Sequence, residues 1–287
     1  MYKRAHIEVS NICNVQCSFC PVVERPKDIM SLDKFRMLLG QVTPIADDVC
    51  LHLMGEPLAH PEFKELLGIS EELQASIQIT TNGLLINRYG ALFLKNKVVR
   101  QINFSLQAFK DNFPDRDIRE YLDPILNFSK QAMSQRPDLY INYRLWNLAS
   151  ASEDENEDVI EYIENFFSTK INRNVDPSFN KSKKILEDAR IYLHYDSRFD
   201  WPSIDYPVVS EKGRCHGLRN HFGIHADGSV VPCCLDKEAV INLGNAFESP
   251  LNDILNSERA SAIRDGFERG DLVEDMCKKC TFRKRFK

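Results

Sequence analysis

Apolar and polar positions along this chain change period again and again. Ala5-His6-Ile7-Glu8-Val9, Val49-Cys50-Leu51-His52-Leu53, Ile77-Gln78-Ile79-Thr80, Val98 to Leu106, Tyr140 to Trp146 and Ile191 to Tyr195 are short apolar or alternating runs, the pattern of strands. Between them the apolar positions recur at helical spacing. Phe35, Leu38, Leu39 and Val42 follow the N-cap residue Ser31, and Phe63, Leu66, Leu67 and Ile69 lie between Pro61 and Leu73. Further helices are predicted through Leu92 to Leu94, from Ile118 to Ser134, and over the acidic stretch Glu155 to Phe167. Strands alternating with helices predict βα units and a parallel sheet, an α/β fold. Thr169 to Lys184 is rich in Asn, Lys and Ser and reads as a loop. Trp201-Pro202 marks a boundary, so we divide the chain at residues 1–204 and 205–287. In the second part, Ala226-Asp227-Gly228-Ser229 before Val230-Val231-Pro232 predicts a β-hairpin, and a helical pattern runs from Leu251 to Phe267.

The chain has 287 residues and is 43% apolar, enough for a sizeable core, and its net charge of −5 argues against a general polyanion binder. No N-terminal apolar stretch approaches the ~18 residues of a membrane span, so a cytoplasmic protein without membrane contact is expected. Nine cysteines, clustered rather than spread, point to metal instead of a disulfide framework.

Three of those thiols sit in Cys13-Asn14-Val15-Gln16-Cys17-Ser18-Phe19-Cys20. Thiolates suit iron–sulfur clusters, zinc and copper(I). A [4Fe–4S] cluster takes one ligand per iron, so three cysteines leave one iron open to a small molecule. A zinc knuckle is the alternative. Parallel barrels carry their chemistry at the strand C-terminal ends, and polar residues gather there: Glu56 in Met54-Gly55-Glu56-Pro57 and Asn82 in Thr81-Asn82-Gly83. Along the fourth strand Asn103, Ser105 and Gln107 share one face; along the fifth, Asn142 and Arg144 do; the sixth ends in His194 and Tyr195. Toward the C-terminus, Cys215, Cys233, Cys277 and Cys280 supply four thiols, with Cys234 as a spare neighbour. Alternation along an extended segment would let only one of Cys233 and Cys234 ligate. Four thiolates complete either a [4Fe–4S] cluster or a zinc ribbon. Cys50, inside an apolar strand, reads as core.

The C-x3-C-x2-C loop with Phe19 before its last cysteine resembles the signature of the radical S-adenosylmethionine (SAM) enzymes. The order of Cys215, Gly228-Ser229-Val230-Val231-Pro232-Cys233, Leu243-Gly244-Asn245 and Cys277-Lys278-Lys279-Cys280 resembles that superfamily's SPASM/twitch extension. The likeness covers essentially the whole chain. It implies an open partial (β/α)6 TIM-like barrel followed by a small hairpin-and-helix twitch domain. It also implies a SAM-binding [4Fe–4S] cluster on Cys13, Cys17 and Cys20, and a second, auxiliary cluster on Cys215, Cys233, Cys277 and Cys280. Met54-Gly55-Glu56 is similar to the family's Gly-Gly-Glu motif, with Met54 at the first glycine, so Glu56 is expected to hold the SAM amino group. Phe19, Asn82, Ser105 and Arg144 are further expected SAM contacts, and Arg144, His194 and Tyr195 are candidate catalytic residues.

What the resemblance implies for activity is reductive cleavage of SAM to a 5′-deoxyadenosyl radical that abstracts hydrogen from a substrate. An auxiliary cluster with all ligands from the protein favours net oxidation. The expected substrate is a small molecule or a peptide, with flavodoxin or ferredoxin as electron donor. The basic run Lys278 to Lys287 raises RNA as an alternative. A reading of another class, a zinc-dependent binding or regulatory protein, also fits the cysteine counts.

Overall fold

The computed structural model describes residues 1–148, 153–173 and 182–286. In chain order the strands are β1 (Tyr2–Ile7), β2 (Ala46–Cys50), β3 (Ile77–Thr81), β4 (Val99–Ser105), β5 (Tyr140–Leu148), β6 (Ser182–Lys184), β7 (Ile191–Ser197), β8 (His221–Ile224) and β9 (Val230–Val231). The α-helices are α1 (Leu32–Val42), α2 (Phe63–Glu72), α3 (Ile86–Lys95), α4 (Gln107–Asn112), α5 (Ile118–Gln135), α6 (Glu153–Phe167), α7 (Leu251–Leu255), α8 (Glu258–Arg269) and α9 (Asp275–Lys279). Two compact units divide them, one of Met1–Asn14, Pro21–Ile77 and Phe199–Lys287, the other of Val15–Cys20 and Gln78–Arg198.

In the first unit the strand order is β2-β1-β8-β9. β1 pairs in parallel with β2 on one side and with β8 on the other, Arg4 opposite His221 and Ile7 opposite Ile224. The expected hairpin is present, since β8 and β9 pair antiparallel around the Asp227-Gly228 turn. The parallel join of β8 to β1 carried no sequence signal. The core beneath is made by Ala5, Ile7 and Val9 with Phe35, Leu38, Leu39, Phe63, Leu66 and Leu67, all but fully buried. Ser31 caps α1 through the Lys34 N–H, as its position predicts.

In the second unit the order is β6-β7-β5-β4-β3. β4, β5 and β7 run parallel, while β6 adds antiparallel to β7. Ile102, Phe104, Ile141, Tyr143, Ile191 and Leu193 form the buried face, met by Ile125, Leu126 and Phe128 of α5. Neither run of strands closes on itself, as expected of an open partial barrel.

Several boundaries differ from the sequence reading. β2 ends at Cys50 rather than Leu53, because the chain must turn toward Gly55, whose φ is +74°. β4 ends at Ser105, so Gln107 opens α4 instead of extending a polar strand face. The helical pattern from Leu251 is two helices, broken where Ser257 caps α8. Part of the stretch read as a loop, Thr169 to Lys184, contains β6, and residues 174–181 of it lie outside the described residues.

One buried charge fastens the first unit at the strand ends. Glu8, fully buried, accepts from Arg25 Nη2 at 2.9 and 3.0 Å, from the Met54 N–H at 3.2 Å and from the Ala226 N–H at 3.3 Å. Removing one partner of such a pair strands a charge in the interior. Arg25→Met is therefore expected to cost about 3–5 kcal/mol in urea unfolding of the metal-free protein, and Glu8→Gln added to it should restore part of the loss. Equal destabilisation in the single and double variants would show that the two side chains are not coupled.

Candidate functional site

The cysteine loop begins where β1 ends. Gly55 packs against its entry so tightly that a Cβ there would collide with Ser10 O and with the backbone of Asn11 and Ile12. The Glu56 N–H donates to Ile12 O at 2.9 Å. Thus the Met54-Gly55-Glu56 turn and the start of the cysteine loop are one packed piece. Glu56 is buried, and its Oε1 accepts from the Leu58 N–H at 3.0 Å, which fixes the carboxylate.

Cys13 is exposed and belongs to the first unit, whereas Cys17 is buried and Cys20 half-buried in the second. There α4 grips the loop through two adjacent side chains that sequence reasoning missed. Asn112 accepts from the Gln16 N–H at 2.9 Å and donates to Cys17 Sγ at 3.1 Å and to Ala108 O at 2.7 Å. Asp111 accepts from both the N–H and the hydroxyl of Ser18. Hydrogen bonds from Cys20 and Asn112 hold the Cys17 thiol below its ordinary range, against burial and the Asp111 charge. The available signal was the helix stop at Phe113-Pro114 directly after this pair. Phe19 lies with the Arg198 guanidinium 5.8 Å from its ring.

Across the second unit, register aligns three predicted residues. Ser105 pairs with Arg144 and Arg144 with His194, a row across β4, β5 and β7. The Arg144 guanidinium stacks 4.5 Å from the Trp146 ring, and Trp146 Nε1 donates to His194 Nδ1 at 3.0 Å. An indole only donates, so neutral His194 carries its proton on Nε2. Trp146 itself had been read only as the end of a strand. Below the row, Asn103 accepts from Gln101 at 2.8 Å and Asn142 at 2.9 Å and donates to Thr80 Oγ1 and Ile79 O. This amide network satisfies Asn103 within the sheet. Two candidates sit differently. Asn82 Oδ1 accepts from the Leu84 N–H at 3.1 Å, the bond that shapes its own turn. Tyr195 shares the buried face of Ile191 and Leu193, opposite His194, and burial pushes its hydroxyl up to about 12.

The C-terminal thiols meet within the first unit. Cys215, Cys233, Cys234, Cys277 and Cys280 line one cavity of about 70 Å³, walled by apolar residues such as Phe267, Leu272 and Met276. Both adjacent cysteines reach it because residues 232–234 turn rather than extend, so strand alternation does not separate them. Burial raises the Cys215 and Cys280 thiols, and backbone N–H groups oppose it: those of Gly217 and His216 at Cys215, those of Arg283 and Phe282 at Cys280. Burial, followed by the neighbouring thiols Cys234, Cys215 and Cys277, drives Cys233 up further. Such a set needs a cationic core to ionise. Among the described residues no three His, Cys, Asp or Glu side chains close on a point that would suit a single metal ion. A chamber ringed by thiols suits a thiolate-ligated iron–sulfur cluster. His221, on the same wall, stands 5.8 Å from His6, which stands 5.5 Å from His52. Burial lowers His221 to about 4 and holds His6 well below its ordinary range, so these two are neutral.

Comparison with known proteins agrees with this layout. The profile of an iron–sulfur cluster-binding domain, SPASM, matches residues 215–281. The GTP 3',8-cyclase of Alkaliphilus metalliredigens is 27% identical over 120 residues, 38% of this chain, and the chain spans about a third (35%) of that relative's length. Among solved structures, BtrN in complex with AdoMet and 2-DOIA superposes with a TM-score of 0.61 at 16% identity, over 98% of this chain and 93% of that one. SuiB from Streptococcus suis, bound to precursor peptide SuiA, gives 0.63 at 16% identity, over 98% and 71%. The radical SAM superfamily profile matches residues 7–163, more than half the chain, and the protein therefore belongs to the radical SAM superfamily and carries a C-terminal iron–sulfur domain.

Proposed function

We propose that this protein is a radical SAM oxidase of a small molecule, with SAM and one [4Fe–4S] cluster held at Cys13, Cys17 and Cys20, and an auxiliary [4Fe–4S] cluster held at Cys215, Cys233, Cys277 and Cys280. The observation that carries the reading is the cavity lined by Cys215, Cys233, Cys234, Cys277 and Cys280, in a chain that also bears the C-x3-C-x2-C loop. When bound, these groups supply reductive cleavage of SAM, abstraction of a hydrogen atom from an alcohol- or amine-bearing carbon, and uptake of the remaining electron as the product loses a proton.

The chain's own residues position the reactants. Asn112 and Asp111 fix the backbone of the cysteine loop from Gln16 to Ser18. Glu56 supplies a carboxylate already oriented by Leu58 for the SAM amino group. Ser105, Arg144 and His194 present a hydroxyl, a guanidinium and an Nε2–H in one row, three donors suited to the SAM carboxylate and ribose or an anionic substrate group. The Trp146 bond keeps His194 a donor at Nε2 rather than a base at Nδ1. We keep residues 1–204 and 205–287 as the functional division, since all four C-terminal thiols lie in the latter. A small-molecule substrate is favoured by the near-complete coverage of BtrN, and a peptide is the second reading, favoured by the SuiB likeness.

Replacing Cys13, Cys17 and Cys20 together by alanine is expected to halve the iron of the reconstituted protein, by the four-irons-per-cubane arithmetic. It should also abolish 5′-deoxyadenosine formation; unaltered SAM cleavage would overturn the assignment. Arg144→Ala is expected to weaken SAM binding about 10- to 100-fold in calorimetry with iron content unchanged, the scale of a lost charge-assisted contact. Normal SAM affinity with lost substrate turnover would move Arg144 to the substrate pocket. Cys277→Ala should remove the auxiliary cluster's Mössbauer and EPR signals and lower the thermal midpoint, while slow SAM cleavage persists. One tightly bound zinc in place of iron in the anaerobic wild-type protein would favour the zinc-binding reading.

A further inference from the structure

Arg283 was counted in the sequence as part of a basic tail, yet the structure gives it a defined place. It lines the thiol cavity. Its Nη1 donates to Lys212 O at 3.1 Å, which fixes the guanidinium. A Cβ at position 213 would overlap that same Nη1, so a glycine there leaves room for the group to lie flat along the backbone. Its Nε is buried and has no hydrogen-bond partner among the described residues. An unsatisfied guanidinium N–H in the interior costs free energy that a partner would recover.

The charge around the cavity is unevenly placed. The Arg283 cation bears on Cys215 and Cys280. Glu274 and Asp236 bear instead on Cys277, and Glu274 is neutralised by Arg259 at 2.7 and 2.9 Å. Asp236 is occupied in turn by the Val240 and Ile241 N–H groups, each at 2.8 Å. Among the described residues, no carboxylate hydrogen-bonds or ion-pairs with Arg283, which lies at the thiol wall.

The geometry points to Arg283 as a positioning residue of the auxiliary site, whose Nε–H donates to a sulfur of the bound cluster. This rests on the assignment of a cluster to Cys215, Cys233, Cys277 and Cys280. A cluster gains one negative charge on reduction, so a fixed cation and an N–H···S bond stabilise the reduced form. The consequence is a more positive potential, suited to accepting the electron that a substrate radical gives up as it is oxidised and deprotonated.

The test uses the full chain with Cys13, Cys17 and Cys20 replaced by alanine, so that one cluster remains. Arg283→Met should shift its midpoint potential to a more negative value in spectroelectrochemistry, with iron content kept, and Arg283→Lys should lie between Met and wild type. An unmoved potential in an iron-replete Met variant would overturn the proposal. If the Met variant fails to load, wild-type protein grown on 15N-arginine decides: a 15N coupling in the ENDOR spectrum of the reduced auxiliary cluster supports the bond, and its absence refutes it. A parent protein with no [4Fe–4S] signal at all would sink the cluster assignment itself, and this proposal with it.

Discussion

Glu8 is the constraint on which the site end of the first unit depends. A carboxylate with no exposed surface is tolerable only if its charge and lone pairs are fully met. Arg25 meets the charge, and the Met54 and Ala226 N–H groups meet the rest. Those three partners come from the segment after the cysteine loop, the turn after β2 and the turn after β8. None of these segments is a regular element whose own hydrogen bonds would hold it. Their shared carboxylate does so instead, and the Gly55 approach to Ser10–Ile12 then follows from where Met54 is pinned.

A second set of bonds extends this anchoring. Arg25 Nε donates to Lys237 O at 2.7 Å, and the Glu238 carboxylate accepts from the Glu24 and Arg25 N–H groups at 3.0 and 3.1 Å. Lys237 Nζ reaches Val22 O at 2.9 Å. Residues shortly after Cys20 are thereby tied to residues shortly after Cys234, within the first unit. Exposed ion pairs contribute little, but here backbone groups on both sides are fixed by half-buried or buried partners.

Much of this was legible in the sequence because it depends on local periodicity and spacing. Phe35, Leu38, Leu39 and Val42 announced α1, the Asp227-Gly228 turn announced the β8–β9 hairpin, and the order of the C-terminal cysteines announced an iron–sulfur domain. The row of Ser105, Arg144 and His194 was legible in part: alternation gave each residue's face, but only register shows that they are neighbours across three strands. What stayed hidden depends on long-range pairing. Nothing in Arg4 to Ile7 signals a partner at His221 to Ile224, and the helix stop after Asp111-Asn112 does not single out Gln16 to Ser18 as what the pair grips. Gln107 was assigned to a strand because alternation continues past Ser105 by chance, and the chain turns into α4 there instead. Cys234 was set aside on an assumption of extended backbone that the turn at residues 232–234 does not obey.

The ties from Val22, Glu24 and Arg25 to Lys237 and Glu238 span more than 200 residues of sequence, 213 between Arg25 and Glu238. On a ribosome the cysteine loop leaves the exit tunnel early, long before Glu238 has been synthesised. Until then the stretch following Cys20 lacks the partners that fix it, and closing so long a loop is entropically costly until the rest of the unit has folded. The shape of the stretch that follows Cys20 is thus completed only once Lys237 and Glu238 have been made and folded into the first unit.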